Sequence, residues 1–478
     1  MSWDIQQLTP AGTPARGVHR RSVSAAAPAP DDFCAVAPSP EARARMQEVL
    51  AGLREASPDP GVAANLGIVP FRRPLGFDDG VIFPPSELPQ GTSGREMARE
   101  AATRAPLRGE VRVIVVLAQF EDRPMEQDRS HFEDLFFSSN VLPHGSVHEY
   151  FLEVTNGLVD IVGEVVGPYT LPETLEWYAN NNFGIGRPSG QGRARIMADH
   201  ALTAAEPDVD FGPYDNDENG YVDAFVVVHA GRGGEETSDP GDIWSHKWTL
   251  RQPRNVDGRT VYAYLTIPED SRIGVCAHEL GHLVFGFPDL YDIDDTSEGV
   301  GNWCLMGGGS WNGGGDVPAH PSAWCKVQQG WATEAQITPG EALSLTDVKI
   351  SQEVHRLWTH GERGPEYFLL ENRQRTGYDT ELPGDGLLIW HVDESRDDNS
   401  DENNYLVGLV QSDGLRELER SVDRGDAGDP YPGTNGNTTF DGSSNPSSDS
   451  YAGQPTSVSV TDISGSAAHM TAKVTLSE

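Results

Sequence analysis

Between positions 111 and 120 the chain reads VRVIVVLAQF, a nearly unbroken β-branched run that predicts a central strand buried on both faces. LVDIVGEVV and YVDAFVVVHAG read as further strands, and ARIMADHALTAAE reads as a helix between them. GSVHEYFLEVTNG predicts a second helix, with Ser146 and Glu149 as a capping box and Asn156-Gly157 as the stop. Strands alternating with helices describe an α/β domain. After Trp331 the texture changes to short strands, EYFLLENR, GLLIWHV, YLVGLVQ, SVSVTDIS and MTAKVTLS, separated by Gly, Asp, Ser and Asn loops. That pattern predicts a β-rich, sandwich-like C-terminal domain. Upstream, SPEARARMQEVLAGLREA predicts a helix with Ser39 as N-cap, Pro40 at its first position and an apolar face of Met46, Val49, Leu50 and Leu53. Residues 1 to about 38 read as disordered, and a Pro-rich connector leads to a second polar helix ending near Pro106. The expected organisation is an N-terminal pro-segment over 1–105, a catalytic domain over 106–335 and a β-rich domain over 336–478.

A chain of 478 residues with 37% hydrophobic positions can build more than one core. Its formal charge of −38 argues against nucleic acid and against an anionic membrane surface. Apolar runs fall short of the ~20 residues of a membrane span. The N-terminus lacks the apolar core of a secretory signal, so the chain either stays inside or is exported by a route this sequence does not display. Of the four cysteines, Cys34, Cys276, Cys304 and Cys325, the last three surround the segment discussed next, which allows one disulfide or buried thiols.

That segment is VCAHELGHLVFGFPDLYD, positions 275 to 292. On a helix, His278 and His282 share one face, close enough for two imidazole nitrogens to meet a Zn²⁺. Glu279 reaches the same place from the side, where it can take a proton from a water on the metal and return it to a leaving amine. Five residues alone do not define a site, since the pattern arises by chance in roughly one or two chains per hundred of this length. Two further features narrow the choice. Gly286 can stop the helix in the left-handed conformation and Pro288 prevents its resumption, which turns Asp289 back towards the histidines as a third ligand. Asp292, Asp294 and Glu298 are the alternatives. NWCLMGGGSWNGG then places Met306 in a Gly-rich turn, as an apolar floor.

HELGH, a following Gly-x-x-Asp and a Met-containing turn resemble the metzincin arrangement of zinc peptidases. More specifically, VRVIVVLAQFEDRPM, DIWSHKW, HELGHLVFGFPDLYD, CLMGGGSWN, LPGDGLLIWHVDE and GDPYPG resemble the peptidase M6, immune inhibitor A-like, family from about Gly109 onward. The resemblance implies a metzincin-like α/β (α+β) domain, Zn²⁺ on His278 and His282, Glu279 as general base, Met306 as the Met-turn residue and an N-terminal segment that keeps the enzyme latent. It also implies protein or peptide substrates and export from a bacterium; the chain is taken to act as a monomer. One departure stands out: Gly286 follows the second histidine by four residues rather than three, an added rotation of ~100° on a helix.

DNDENGYVD offers Asp215, Asp217, Asn219, the Tyr221 carbonyl and Asp223 as Ca²⁺ ligands around Gly220, although Val226 stands where a full EF-hand has its Glu. The acidic stretches 393–404 and 423–433 are weaker candidates, the first a solvated loop and the second a turn or second calcium site. His229 and His246 lie near strand ends and are either buried or cleft-lining. Cys34, in DDFCAVAPSP, offers a thiolate that could switch a zinc site off, although its neighbours differ from the best-known cysteine-switch motif. The function expected is a zinc endopeptidase made as a latent precursor. The rivals are a calcium-stabilised binding or adhesion protein with a vestigial centre, and a zinc hydrolase acting on a non-peptide bond. A vestigial centre should have lost Glu279 or a histidine, and neither is missing.

Overall fold

A computed structural model describes residues 34–56, 83–89, 92, 104–186, 191–335, 337 and 342–476. The second polar helix, most of the Pro-rich connector and residues 1–33 lie outside them. The β-branched run forms β2 (Gly109–Gln119) in a six-stranded sheet with β1 (Cys34–Ala35), β3 (Val159–Thr170), β4 (Phe225–His229), β5 (His246–Val256) and β6 (Arg259–Pro268). The order is β1-β5-β6-β4-β2-β3. β3, β2, β4 and β6 run parallel, whereas β5 is antiparallel to β6 and β1 antiparallel to β5. Val113 through Ala118 are all buried, as a strand covered on both faces requires.

Around the sheet lie α1 (Pro40–Ala56), α2 (Arg129–Phe137), α3 (Val147–Val154), α4 (Ala194–Ala205) and α5 (Ile273–Phe285). α3 begins as its sequence dictates, with the Ser146 hydroxyl accepting from the Glu149 amide at 3.2 Å, and it packs against both β3 and α5. The β5–β6 hairpin was not expected from sequence. Its two-residue turn is Asp257-Gly258, both at positive φ, the Asp-Gly signature of a tight hairpin. α1 is capped by Ser39, whose hydroxyl accepts from the Ala42 amide. Its packed face differs from the expected one: Ala42, Arg43 and Met46 are buried, and Val49 is 49% exposed. Residues 34–37, expected to be disordered, are buried instead.

The C-terminal strands form a five-stranded and a three-stranded sheet. In the larger one, alternate residues face opposite ways. Phe368, Leu370, Leu387 and Ile389 join the core shared with the small sheet, while Tyr367, Leu369, Leu388 and Trp390 join the core of the α/β region. One sheet therefore serves both layers.

Candidate metal centre

All of α5 is buried, including His278, Glu279 and His282. It ends at Gly286 with φ +66°, and the amides of Gly286 and Phe287 return to the carbonyls of His282 and Gly281. This left-handed turn does two things. It brings the Phe287 carbonyl to His282 Nδ1 at 2.6 Å, and it carries Asp289 back over the helix. His278 Nδ1 is held in the same way by the Leu305 carbonyl at 3.0 Å. A carbonyl only accepts, so each Nδ1 carries the proton and each Nε2 presents a lone pair.

The Nε2 atoms of His278 and His282 are 3.0 Å apart, and Asp289 Oδ1 lies 3.2 Å from the first and 3.0 Å from the second. Burial pushes His278 towards its neutral form. Burial would raise the Asp289 carboxyl too, but the adjacent His282 and His278 hold it below its ordinary range. Three acceptor atoms thus converge in a dry place, an arrangement that calls for a cation. Two imidazoles and a carboxylate suit Zn²⁺, and the separations are near those of ligands ~2.0–2.2 Å from one tetrahedral ion. Glu279 adds a second sign. Its carboxyl is pushed well above the usual range by burial, then by Asp289 and Glu235, and the backbone amides of Val36 and Lys247 only partly offset this.

Met306 forms the floor, its sulfur against Gly281 so closely that a Cβ there would stand 2.8 Å away. The Met306 carbonyl also accepts from the Leu290 amide at 2.8 Å, which fixes the chain just after Asp289. The alternative ligands are engaged elsewhere. Glu298 pairs with Arg43 and Arg424, and Asp292 accepts from the Asp294 and Ser297 amides in its own turn. His229 and His246 are wholly buried rather than cleft-lining; burial lowers their pKa values to about 4 and about 3. His246 spends both nitrogens, on the Trp244 carbonyl and the Tyr264 hydroxyl. The described residues contain no disulfide.

In the candidate calcium loop, carboxylate oxygens of Asp215, Asp217 and Asp223 come together. Positive charge is already there: Arg104 Nε donates to Asp217 at 2.8 Å and its Nη2 to Asp223, while Arg259 meets Asp215 at 2.7 Å. Asn219 Oδ1 accepts from the Tyr221 amide. Of the two acidic stretches, 423–433 contributes Asp426 to a cluster with Asp413 and Glu417.

Sequence reasoning missed the side chains that hold the backbone of residues 35–37. Trp244, Tyr291 and Trp311 aim polar hydrogens at the backbone of residues 35–37, and lone aromatic residues give no signal of that role.

The family described as "Immune inhibitor A peptidase M6, catalytic domain" matches residues 117–336. The pre-pro-metalloprotease PrtV of Vibrio cholerae serotype O1 is 28% identical over 270 residues, covering 45% of this chain and 29% of that protein. Immune inhibitor A of Bacillus thuringiensis subsp. alesti is 28% identical over 223 residues, covering 39% of this chain and 32% of that protein. The chain spans about a third of the length of these curated relatives. Residues 117–336, which carry the histidine pair, Asp289 and the Met306 turn, are thus the part of this chain that is similar to the catalytic domain of the peptidase M6 family.

Proposed function

We propose that this chain is a zinc-dependent endopeptidase made as a latent precursor, with residues 106–335 as its catalytic domain. The observation that carries the reading is the meeting of His278 Nε2, His282 Nε2 and Asp289 Oδ1 within 3.2 Å while both Nδ1 atoms are tied to carbonyls. These three residues would hold the metal, which when bound supplies Lewis acidity and lowers the pKa of a coordinated water towards ~7. Glu279 is the proton carrier. It takes a proton from the attacking water and delivers it to the leaving amine. Substrate lies extended along the edge of the sheet beside α5.

A structural Ca²⁺ at Asp215, Asp217 and Asp223 fits this reading, with Arg104 holding its place in the form described. The name of the Vibrio relative, a metalloprotease, and the word peptidase in the matching family's description support peptide hydrolysis, and "pre-pro" in the former supports latency. Retention of Glu279 and both histidines weighs against a vestigial centre. The test is incubation of the purified chain with a peptide library, with and without zinc, calcium and phenanthroline, read by mass spectrometry. Cleavage that needs zinc and stops with the chelator supports the reading; cleavage indifferent to chelation, or none after removal of the N-terminal segment, overturns it.

A further inference from the structure

Cys34 lies on β1, the outermost strand of the six-stranded sheet, and is wholly buried. Its sulfur, a ring nitrogen of His282 and a carboxylate oxygen of Asp289 all lie within 4.8 Å of one another. β1 pairs antiparallel with β5, Cys34 opposite Lys247 and Ala35 opposite His246. Polar hydrogens then fall on three consecutive carbonyls. The Tyr291 hydroxyl donates to Ala35 at 2.7 Å, the Trp244 indole to Val36 at 2.9 Å and the Trp311 indole to Ala37 at 2.8 Å. An extended peptide held at a sheet edge is gripped in this manner, through its main chain. Beyond it, Arg43 on α1 fastens the segment by an ion pair to Glu298 and another to Asp295 at 3.0 Å.

We propose that Cys34 is a fourth ligand of the metal at this centre, and that residues 34–37 occupy the place of a substrate strand and hold the peptidase closed. The inference rests on the metallopeptidase reading above. Zinc centres that catalyse keep one position open, whereas four protein ligands make a closed site. A sulfur in the fourth position excludes the attacking water, so the segment can lie as a substrate does without being cut. Ligation by the thiolate would release the thiol proton and the water it displaces to solvent, with no change of oxidation state. Glu279 is then left beside a site with no water to act on, its carboxyl next to the backbone of Val36 in the same segment.

The test uses the full chain loaded with Co²⁺, in a Glu279→Gln background that prevents self-cleavage. The expected result is a thiolate-to-cobalt charge-transfer band in the near ultraviolet. Cys34→Ser and Cys34→Ala should abolish it while keeping the visible cobalt bands. With Glu279 intact and zinc bound, the same two substitutions should raise peptide cleavage at least about tenfold, as expected when a blocking conformation loses its hold. Visible cobalt bands with no charge-transfer band in the parent chain, or a band that survives both substitutions, would overturn Cys34 ligation and leave the peptidase reading standing. Failure of every form to take up cobalt would overturn both.

Discussion

The Nε2 atoms of His278 and His282 face each other at 3.0 Å, each with its Nδ1 proton given to a backbone carbonyl. Lone pairs so close, with Asp289 Oδ1 beside them, repel unless a cation lies between. Metal removal is therefore expected to lower the melting temperature markedly. At a free metal concentration of 1,000 times Kd, binding is worth about 4 kcal/mol. Calorimetry with and without chelator reads the shift, and His278→Ala should remove it.

Glu279→Gln should keep the metal and the fold, because it exchanges a buried carboxyl for a neutral group of the same size. Loss of the proton carrier should slow cleavage by about 10²- to 10⁴-fold. Metal analysis beside a cleavage assay checks both halves; metal loss together with activity loss would instead assign Glu279 a ligand role.

Arg104 and a calcium ion would compete for Asp217 and Asp223. Arg104→Ala should therefore make the melting temperature more sensitive to added calcium than it is in the parent chain. In Asp223→Asn the calcium effect should vanish. An unchanged calcium response in both variants would mean that these carboxylates bind no ion.

Arg373 and Asp379 form a wholly buried ion pair, and Asp379 also accepts from the His320 amide at 3.0 Å and from Lys349 at 3.2 Å. It ties the C-terminal sheet to the segment that leads into the Ala323–Gln328 helix. Breaking one side of a buried pair costs about 3–5 kcal/mol, so Asp379→Ala should be among the most destabilising substitutions in the chain. Denaturant titration measures it.

Burial pushes the Asp429 carboxyl up to about 7, with Asp426 and Asp413 adding to the effect. Its folded-state value lies above the ~3.9 of an unfolded aspartate, so the folded chain holds the extra proton between these limits. That contribution to stability is full below pH ~4 and is lost as the pH rises through about 7, with a slope of up to about 1.4 kcal/mol per pH unit. Asp429→Asn should flatten this part of the profile, as measured by unfolding at several pH values.

The i, i+4 histidines, the Gly286 stop and the β-branched run at 111–120 were legible in the chain, because helix period, left-handed glycine and strand burial are local physics. So was Asp289, since a stopped helix leaves few directions for the next residues. The Asp257-Gly258 hairpin is local in the same sense, since an Asp-Gly pair favours the positive φ of a tight turn. Other features depend on residues distant in sequence. Val49 was expected inside, yet α1 buries Arg43 instead, because Glu298 and Asp295 arrive from more than 250 positions away to meet it. Cys34 sits in a stretch that reads as disordered by composition, and only the free edge of β5 and the donors of Trp244, Tyr291 and Trp311 give it a place. The chain's own text thus determined which side chains meet at the centre, through local spacing and helix geometry. What lies across that centre was decided by tertiary structure, since strand pairing and long-range ion pairs leave no periodic trace.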